Sequence, residues 1–378
     1  MKPNNLQLKQ IYRHPYAFQM VLVDDKLFFT ERFPGELEKK IKFKNYPKND
    51  GLFVYENGET KKLIDTLSSH LANCKDAVFT LDFYDKKLSF VEWSSGTYSI
   101  GTLEGNYSFC VNDKYGRQNW VYIGHFDGQI STGLFGESLN ELSNRDFTWF
   151  ITNDKMIRHF ADVPSEKENE KPTKDWTKAT FLDKNNLLLK TIDLSILSNN
   201  RIDNSKRLQD PIIYEDKMYV AYNNWQLMCL DLKGEDHWYQ QYEYNFKNYE
   251  LSEGVIYAKS YGKLCKIDPK TGEIFESADI EQYFQATVLA DFGLFWVYED
   301  FVFCLAHNHK NYHHHFLIFN KHSLIYIGEV CLGYDDKEIV RIPTMRGRSC
   351  FIYEKGKMYV YDSSTVLRVY ELDLTKYV

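Results

Sequence analysis

The chain has 378 residues, with 46 Lys+Arg against 53 Asp+Glu, a net charge of −7 and an apolar share of 43%. That length buries a sizeable core, and the acidic balance repels phosphate backbones, which excludes general nucleic-acid binding. Aromatics reach 16%, led by 28 Tyr and 26 Phe; both favour half-buried pleated surface, so the composition leans to β-structure.

The first stretch, MKPNNLQLKQIYRHP, has neither an apolar h-region nor a small-residue cleavage site. No apolar run approaches the ~18 residues a membrane helix needs. The expected location is cytoplasmic, with no membrane partner. Strand–turn–strand grammar then begins: FQMVLVDDKLFFTER (18–32) turns at Asp-Asp-Lys, and AVFTLDFYDKKLSFVEW (77–93) turns at Tyr84-Asp85-Lys86-Lys87. Between them, 35–43 and 59–74 are predicted as short helical insertions. In the second, Leu63, Ile64, Leu67 and Leu71 recur at i, i+1, i+4, i+8. Further hairpins are expected around Asp127-Gly128 and Asn185-Asn186. The polar run 164–175 reads as a solvated loop.

The second half repeats itself. PIIYEDKMYVAY (211–222) and SCFIYEKGKMYVYD (349–362) share Ile-Tyr-Glu, a short charged turn and Lys-Met-Tyr-Val. Tyr-Glu pairs begin at Tyr214, Tyr249, Tyr298 and Tyr353, spaced by 35, 49 and 55 residues. That is the span of a four-stranded repeat with variable loops. One such sheet cannot cover both its faces; sheets stacked radially about an axis bury both and leave short edges. The predicted architecture is all-β, a β-propeller over 1–378 as one domain, with seven four-stranded blades favoured and eight as the alternative. The last repeat lacks an outer strand after VLRVYELDLTKYV, and the N-terminus near Leu6–Tyr12 is expected to supply it.

Cys74, Cys110, Cys229, Cys265, Cys304, Cys331 and Cys350 contain no Cys-x-x-Cys and no adjacent pair. Four of them, Cys229, Cys265, Cys304 and Cys350, sit in apolar runs and read as buried, reduced strand thiols.

Two repeats carry a resemblance. NNWQLMCLDLKGEDHW (223–238) supplies Leu227, Leu230, Asp231, Gly234 and Trp238; SYGKLCKIDPKTGEIF (260–275) supplies Leu264, Ile267, Asp268, Thr271 and Gly272. The pattern resembles the repeat of the PQQ-like (quinoprotein) propellers. The turn itself is structural: Asp268 is placed to accept amides two residues on, Pro269 presets the bend and Gly272 takes φ > 0. The resemblance implies the fold. Enzymes of that family hold a quinone and Ca²⁺ beside an adjacent cysteine pair; this chain has no such pair, so no cofactor is expected.

Labelling strands A to D outward from the axis, the repeat 211–242 reads A at Ile212–Glu215, B at Met218–Tyr222 and C at Gln226–Leu232. All B–C turns then share one rim of the ring. That rim is expected to collect Tyr222, Asn224, Trp225, Tyr261 and the insert HNHKNYHHH (307–315), with His309 and His313 as contact residues. Large aromatics and planar amides suit a protein partner; the alternative is that Trp225 and Tyr261 only cover the neighbouring blade. His307/His309 and His313/His315 alternate, so each pair could share one side of a strand; no Cys or carboxylate stands at ligand spacing, and no metal is expected. RIPTMRGRS (341–349) adds Arg341, Arg346 and Arg348, suited to a carboxylate or phosphate, or to surface ion pairs.

No phosphate loop, His-Glu-x-x-His or Gly-x-Ser-x-Gly occurs. The chain reads as a non-enzymatic interaction module, monomeric alone, with another protein as partner. One concrete form is a bacterial immunity protein that neutralises a basic toxin domain. The alternative is a propeller enzyme, a glycoside hydrolase, lyase or degenerate quinoprotein, with its site in the central funnel.

Overall fold

A computed structural model describes residues 5–15, 17–31, 51–66, 68–74, 77–82, 88–94, 97–103, 107–111, 121–125, 129–132, 140–143, 149–151, 155–158, 161–163, 173–175, 177–183, 188–202, 212–214, 217–222, 224–231, 236–285, 289–310, 312–333, 339–343 and 350–378. Their strands form eight four-stranded antiparallel sheets and one two-stranded hairpin. Sheet 1 is Ala17–Val23, Lys26–Glu31, Gly51–Glu56 and Glu59–Ile64; sheet 2 is Ser68–Cys74, Ala77–Asp82, Leu88–Ser94 and Thr97–Leu103. Sheet 3 is Tyr107–Val111, Val121–His125, Gln129–Thr132 and Asn140–Ser143; sheet 4 is Trp149–Ile151, Lys155–Arg158, Lys178–Asp183 and Leu188–Asp193. Sheet 5 is Ile212–Tyr214, Lys217–Tyr222, Gln226–Asp231 and His237–Gln241; sheet 6 is Asn248–Ser252, Val255–Lys259, Lys263–Ile267 and Ile274–Asp279. Sheet 7 is Leu289–Tyr298, Phe301–Asn308, His314–Asn320 and Tyr326–Cys331; sheet 8 is Phe351–Glu354, Lys357–Tyr361 and Val366–Glu371, completed by Lys9–Pro15. The described residues thus hold eight sheets, where the repeat length favoured seven with eight as the alternative.

The middle strands explain the apolar runs. Phe301–Ala306 and Phe316–Phe319 are buried without interruption, because each faces a neighbouring sheet on both sides. Outer strands such as Ile274–Asp279 alternate between half-buried and exposed. Cores form between sheets. Phe303, Phe316 and Phe351 pack with centroids 4.3–5.9 Å apart between sheets 7 and 8. Tyr219, Cys229, Tyr249 and Cys265 fill the gap between sheets 5 and 6. Each fully buried Phe contributes roughly 1.5–3 kcal/mol relative to exposure. Sheet 1 in turn packs against sheet 8 through Tyr55, Tyr359 and Leu367. This radial stacking of antiparallel sheets is a β-propeller.

The N-terminal strand pairs with Val366–Glu371 in the outermost position, as the unfinished last repeat required, with Lys9 opposite Glu371 and Pro15 opposite Val366. Its start is a few residues later than expected; Leu6 instead donates its amide to the Glu329 carbonyl of sheet 7. Beneath it, Arg368 and Asp362 are both buried. Arg368 Nε donates to Asp362 Oδ2 at 3.0 Å and Nη1 to Gln10 Oε1 at 3.1 Å. Tyr12 stacks on Tyr55 of sheet 1 at 4.2 Å.

The helical reading of 59–74 is overturned: it is the outer strand of sheet 1 and the inner strand of sheet 2. Asn57 and Gly58 both have positive φ, which makes the primed turn that folds Glu59–Ile64 back as a hairpin. Ladder pairing on existing strands outweighs one short helix, which is marginal by itself. The other helical expectation, 35–43, lies outside the described residues. The described helices are Leu194–Leu197, Glu281–Gln285 and a 3₁₀ turn at Thr375–Tyr377. Of the polar run 164–175, Thr173–Asp175 pairs with Ala161–Val163 as the hairpin. Among the described residues no helix is long and apolar enough to cross a membrane.

Cys229, Cys265, Cys304 and Cys350 are buried free thiols, and burial pushes each up to about 12. They are strand-packing groups, as their apolar context required.

Candidate functional site

The turn at 268–273 shows how the repeat motif works. Asp268 Oδ1 accepts from Lys270 N at 2.8 Å, and Gly272 sits at φ +75°. Outer-strand residues of sheet 5 then grip it: Trp238 Nε1 donates to the Pro269 carbonyl and the Tyr242 hydroxyl to the Gly272 carbonyl. The motif joins neighbouring sheets. It lies on the rim made by A–B and C–D turns.

The opposite rim is made by B–C turns and by the connections between sheets, and backbone hydrogen bonds weld the two. The turn after Tyr222 closes with Asn224 at φ +63°. Phe246 N then donates to the Asn224 carbonyl and Tyr242 N to the Trp225 carbonyl, both at 2.7 Å. Lys247 N reaches the Lys259 carbonyl, and Ile280 N the Gly262 carbonyl. Further round, His314 N donates to the Val340 carbonyl and Ser363 N to the Arg341 carbonyl. Gln226 Nε2 ties the connection 194–202 in through the Arg201 carbonyl. From sheet 4 to sheet 8 this rim is one bonded belt.

The belt gathers exposed apolar surface. Of nine large exposed apolar side chains among the described residues, five lie on it: Ile196, Trp225 (43% exposed), Tyr261 (54%), Tyr312 (50%) and Ile339. Trp225 and Tyr261 were legible in the sequence; Ile196, Tyr312 and Ile339 were not singled out. Tyr222 is a correction. It is 1% exposed, packed with Met218, Val220 and Phe181 between sheets 4 and 5, because the last residue of a middle strand still faces its neighbour. Asn224 serves the turn and is half-buried. His309 is exposed and His313 half-buried. Arg346 and Arg348 lie outside the described residues.

Both alternating pairs meet, with the His307 and His309 rings in contact and His313 acting on His315, but a turn rather than one strand carries the first pair's second member. Asn308 ends its strand, so His309 lies in the turn. His307 and His314 are cross-strand partners with rings 5.7 Å apart, and His309 stands 5.4 Å from His307. His314 Nδ1 accepts from Ile342 N at 2.9 Å, which places its proton on Nε2. His315 points to the other face, beside Ala306 of the facing strand. Burial, then neighbouring imidazoles, push His315 down to about 4; burial, then His307 and Arg341, do the same to His314. Among the described residues no group of three or more His, Cys, Asp and Glu is arranged to hold a metal.

Three cations lie over three rings of the belt. Lys247 Nζ is 4.9 Å from the Tyr261 centroid, Lys263 Nζ 5.3 Å from Tyr244, and the Arg341 guanidinium 5.4 Å from Tyr312. Arg341 Nε also donates to the Tyr312 carbonyl. A bulge in the inner strand of sheet 7 positions the first. There Asp291 accepts from Gly293 N at 2.7 Å and pairs with the buried Lys259. Gly293 stands at φ +73°, and a Cβ on it would meet the Lys247 stem at 2.7 Å. These pairs escaped the sequence reading because partners 14 to 29 residues apart meet only through the belt.

No family model matches the sequence, and neither does any curated protein. Solved structures do resemble it. The C-terminal WD40 domain of Sif2 aligns at TM-score 0.57 with 8% identity, covering 98% of this chain and 99% of that one. Sqt1 of Saccharomyces cerevisiae aligns at 0.56 with 10% identity over 98% and 100%. BamB of Moraxella catarrhalis aligns at 0.50 with 10% identity over 97% and 100%. The likeness is one of fold: the chain is a β-propeller.

Proposed function

We propose that the chain is a non-enzymatic interaction module that docks another protein on the belt of B–C turns and inter-sheet connections. The observation that carries this is the gathering of Ile196, Trp225, Tyr261, Tyr312 and Ile339 on one rim. Aromatic side chains bring contact area at little rotamer cost and dominate binding energy at interfaces. They sit on turns anchored to rigid sheets, which limits the ordering penalty of association. A bacterial immunity protein that neutralises a toxin domain is one form of this reading, supported by the acidic net charge alone.

The test is affinity capture from cells that carry the protein natively, using wild type and a Trp225→Ala/Tyr261→Ala variant side by side. A partner retained by wild type and released at least tenfold more readily by the variant, with an unchanged melting temperature, supports the reading. A partner held equally by both places binding elsewhere.

A further inference from the structure

We infer that the partner meets this belt with an acidic segment, in which several Asp or Glu side chains are interspersed with apolar ones. The inference rests on the docking reading above and gives its partner a chemistry.

The argument begins with the distribution of ion pairs. On the A–B and C–D rim, four pairs bridge turns and strand ends. Lys355 binds Asp25 at 2.6 Å, Lys321 binds Glu253 at 2.9 Å, His322 binds Asp300 at 2.9 Å and Lys26 binds Glu56 at 3.1 Å. On the belt, Lys178, Lys259 and Arg368 pair with Asp175, Asp291 and Asp362, whereas the side chains of Lys247, Lys263, Lys310 and Arg341 have no carboxylate partner among the described residues. Glu243, Asp279 and Glu281 lie on the same rim. Three of the cations are instead held over aromatic faces, and Gly293 makes room for the stem of Lys247. A cation over a ring keeps its hydrogen-bond donors available, and the ring reduces the rotamer freedom lost when a carboxylate arrives. The alternating ring and cation match a segment that alternates apolar and acidic side chains.

The electrostatics nearby agree. His307, His314 and His315 are all pushed down, and besides burial every charge acting on them is an imidazole or Arg341. That field favours an approaching carboxylate. The sign is opposite to the one suggested by the net charge of −7. On the other rim, Asp24, Asp25, Glu253, Glu299, Asp300, Asp268 and Glu273 occupy turns.

The experiment uses a fluorescent 15-residue peptide of three Leu-Glu-Tyr-Glu-Glu units, and versions with Lys or Ser replacing Glu, titrated by anisotropy. The expected result is at least tenfold tighter binding of the Glu peptide than of the other two, weakening as salt rises. A Lys247→Glu/Lys263→Glu/Arg341→Glu variant should lose that binding at least tenfold and turn to the Lys peptide. If that variant melts early, Lys247→Gln/Lys263→Gln replaces it, with at least a threefold loss expected. Equal or tighter binding of the Ser or Lys peptide overturns the acidic partner. If that binding is nonetheless lost in Trp225→Ala/Tyr261→Ala, the docking belt survives. Binding of no peptide counts against both, and Glu-peptide binding unchanged in every variant overturns the assignment to this rim.

Discussion

The two rims of the ring are made by the same strands and differ in what they do with charge. On the A–B and C–D rim, four turns are two residues long: Asp24-Asp25, Asn57-Gly58, Glu253-Gly254 and Lys355-Gly356 all take positive φ at both positions, the primed geometry that continues strand twist. Their ionic groups find partners across neighbouring sheets. On the other rim the turns are bonded to inter-sheet connections; Lys259 pairs there with Asp291 and Asp362 holds Arg368, while Lys247, Lys263 and Arg341 lie on aromatic faces. On the rim proposed for docking, both kinds of cation occur, and those on rings keep their donors available.

The severest challenge to this division is the ring closure, on which both rims depend. Removing residues 1–15 takes away the outer strand of sheet 8 and the partly buried Leu6, Leu8, Ile11 and Tyr12. A loss on the order of 5 kcal/mol or more is expected, seen as collapse of the cooperative melt. Next, Asp362→Ala strands Arg368 in the core and removes the acceptor for Ser364 N and Val366 N. It should cost about 3–5 kcal/mol by urea unfolding, although Asp362 stands at a turn of the aromatic rim. An exposed, unpaired role for Asp362 would predict almost no change.

Acid should separate the rims by pH window. His314 and His315 stay neutral in the fold down to about 4, against 6.5 for the ordinary group. The unfolded chain takes up protons first, so their contribution is full above pH 6.5 and drains away between 6.5 and 4. The loss is up to about 3 kcal/mol for each. His315→Leu should flatten this slope in urea melts. On the other rim, the Tyr98 hydroxyl and Lys26 hold Glu56 below its usual 4.5. Its contribution is present above that value and is lost only at lower pH.

Two glycines of the scaffold rim make a matched pair. Gly272 and Gly254 both stand at φ +75°, yet a Cβ at Gly272 would lie 2.5 Å from Trp238 Cζ3, while one at Gly254 meets nothing within 4 Å. Gly272→Ala should cost about 2–4 kcal/mol and Gly254→Ala about 1 kcal/mol; equal costs would show that the grip of sheet 5 on this turn carries no stability. The smallest effect belongs to Lys355→Ala. Its pair with Asp25 is fully exposed, and the melting temperature should stay within error of wild type.

The second half of the fold was readable because its strands obey one grammar. Sheet 5 falls within a residue or two of the bounds set by Ile212, Tyr222 and Gln226, and the missing outer strand of the last repeat announced its donor. The first half was harder. Leu63, Ile64, Leu67 and Leu71 fit a helical face as well as two strands split by a connection, and the count of sheets suffered with it. The rim was legible where one residue declares itself, as at Trp225 and Tyr261. Tyr222 misled because one step along a strand separates a turn from the core. Lys247, Lys263 and Arg341 draw their meaning from rings elsewhere in the chain, which no local pattern encodes.

The shared construction of sheet 8 has a consequence for biosynthesis. Lys9–Pro15 is synthesised long before its ladder partner Val366–Glu371. Throughout translation that early strand has unsatisfied amides and carbonyls, and sheet 7 has no Leu6 docked on Glu329. Joining them requires closing a loop of nearly the whole chain, the slowest kind of contact to form. Until Val366–Glu371 is made the nascent protein is exposed to mispairing with another copy, and a chaperone that shields this one edge would raise the yield of closed rings.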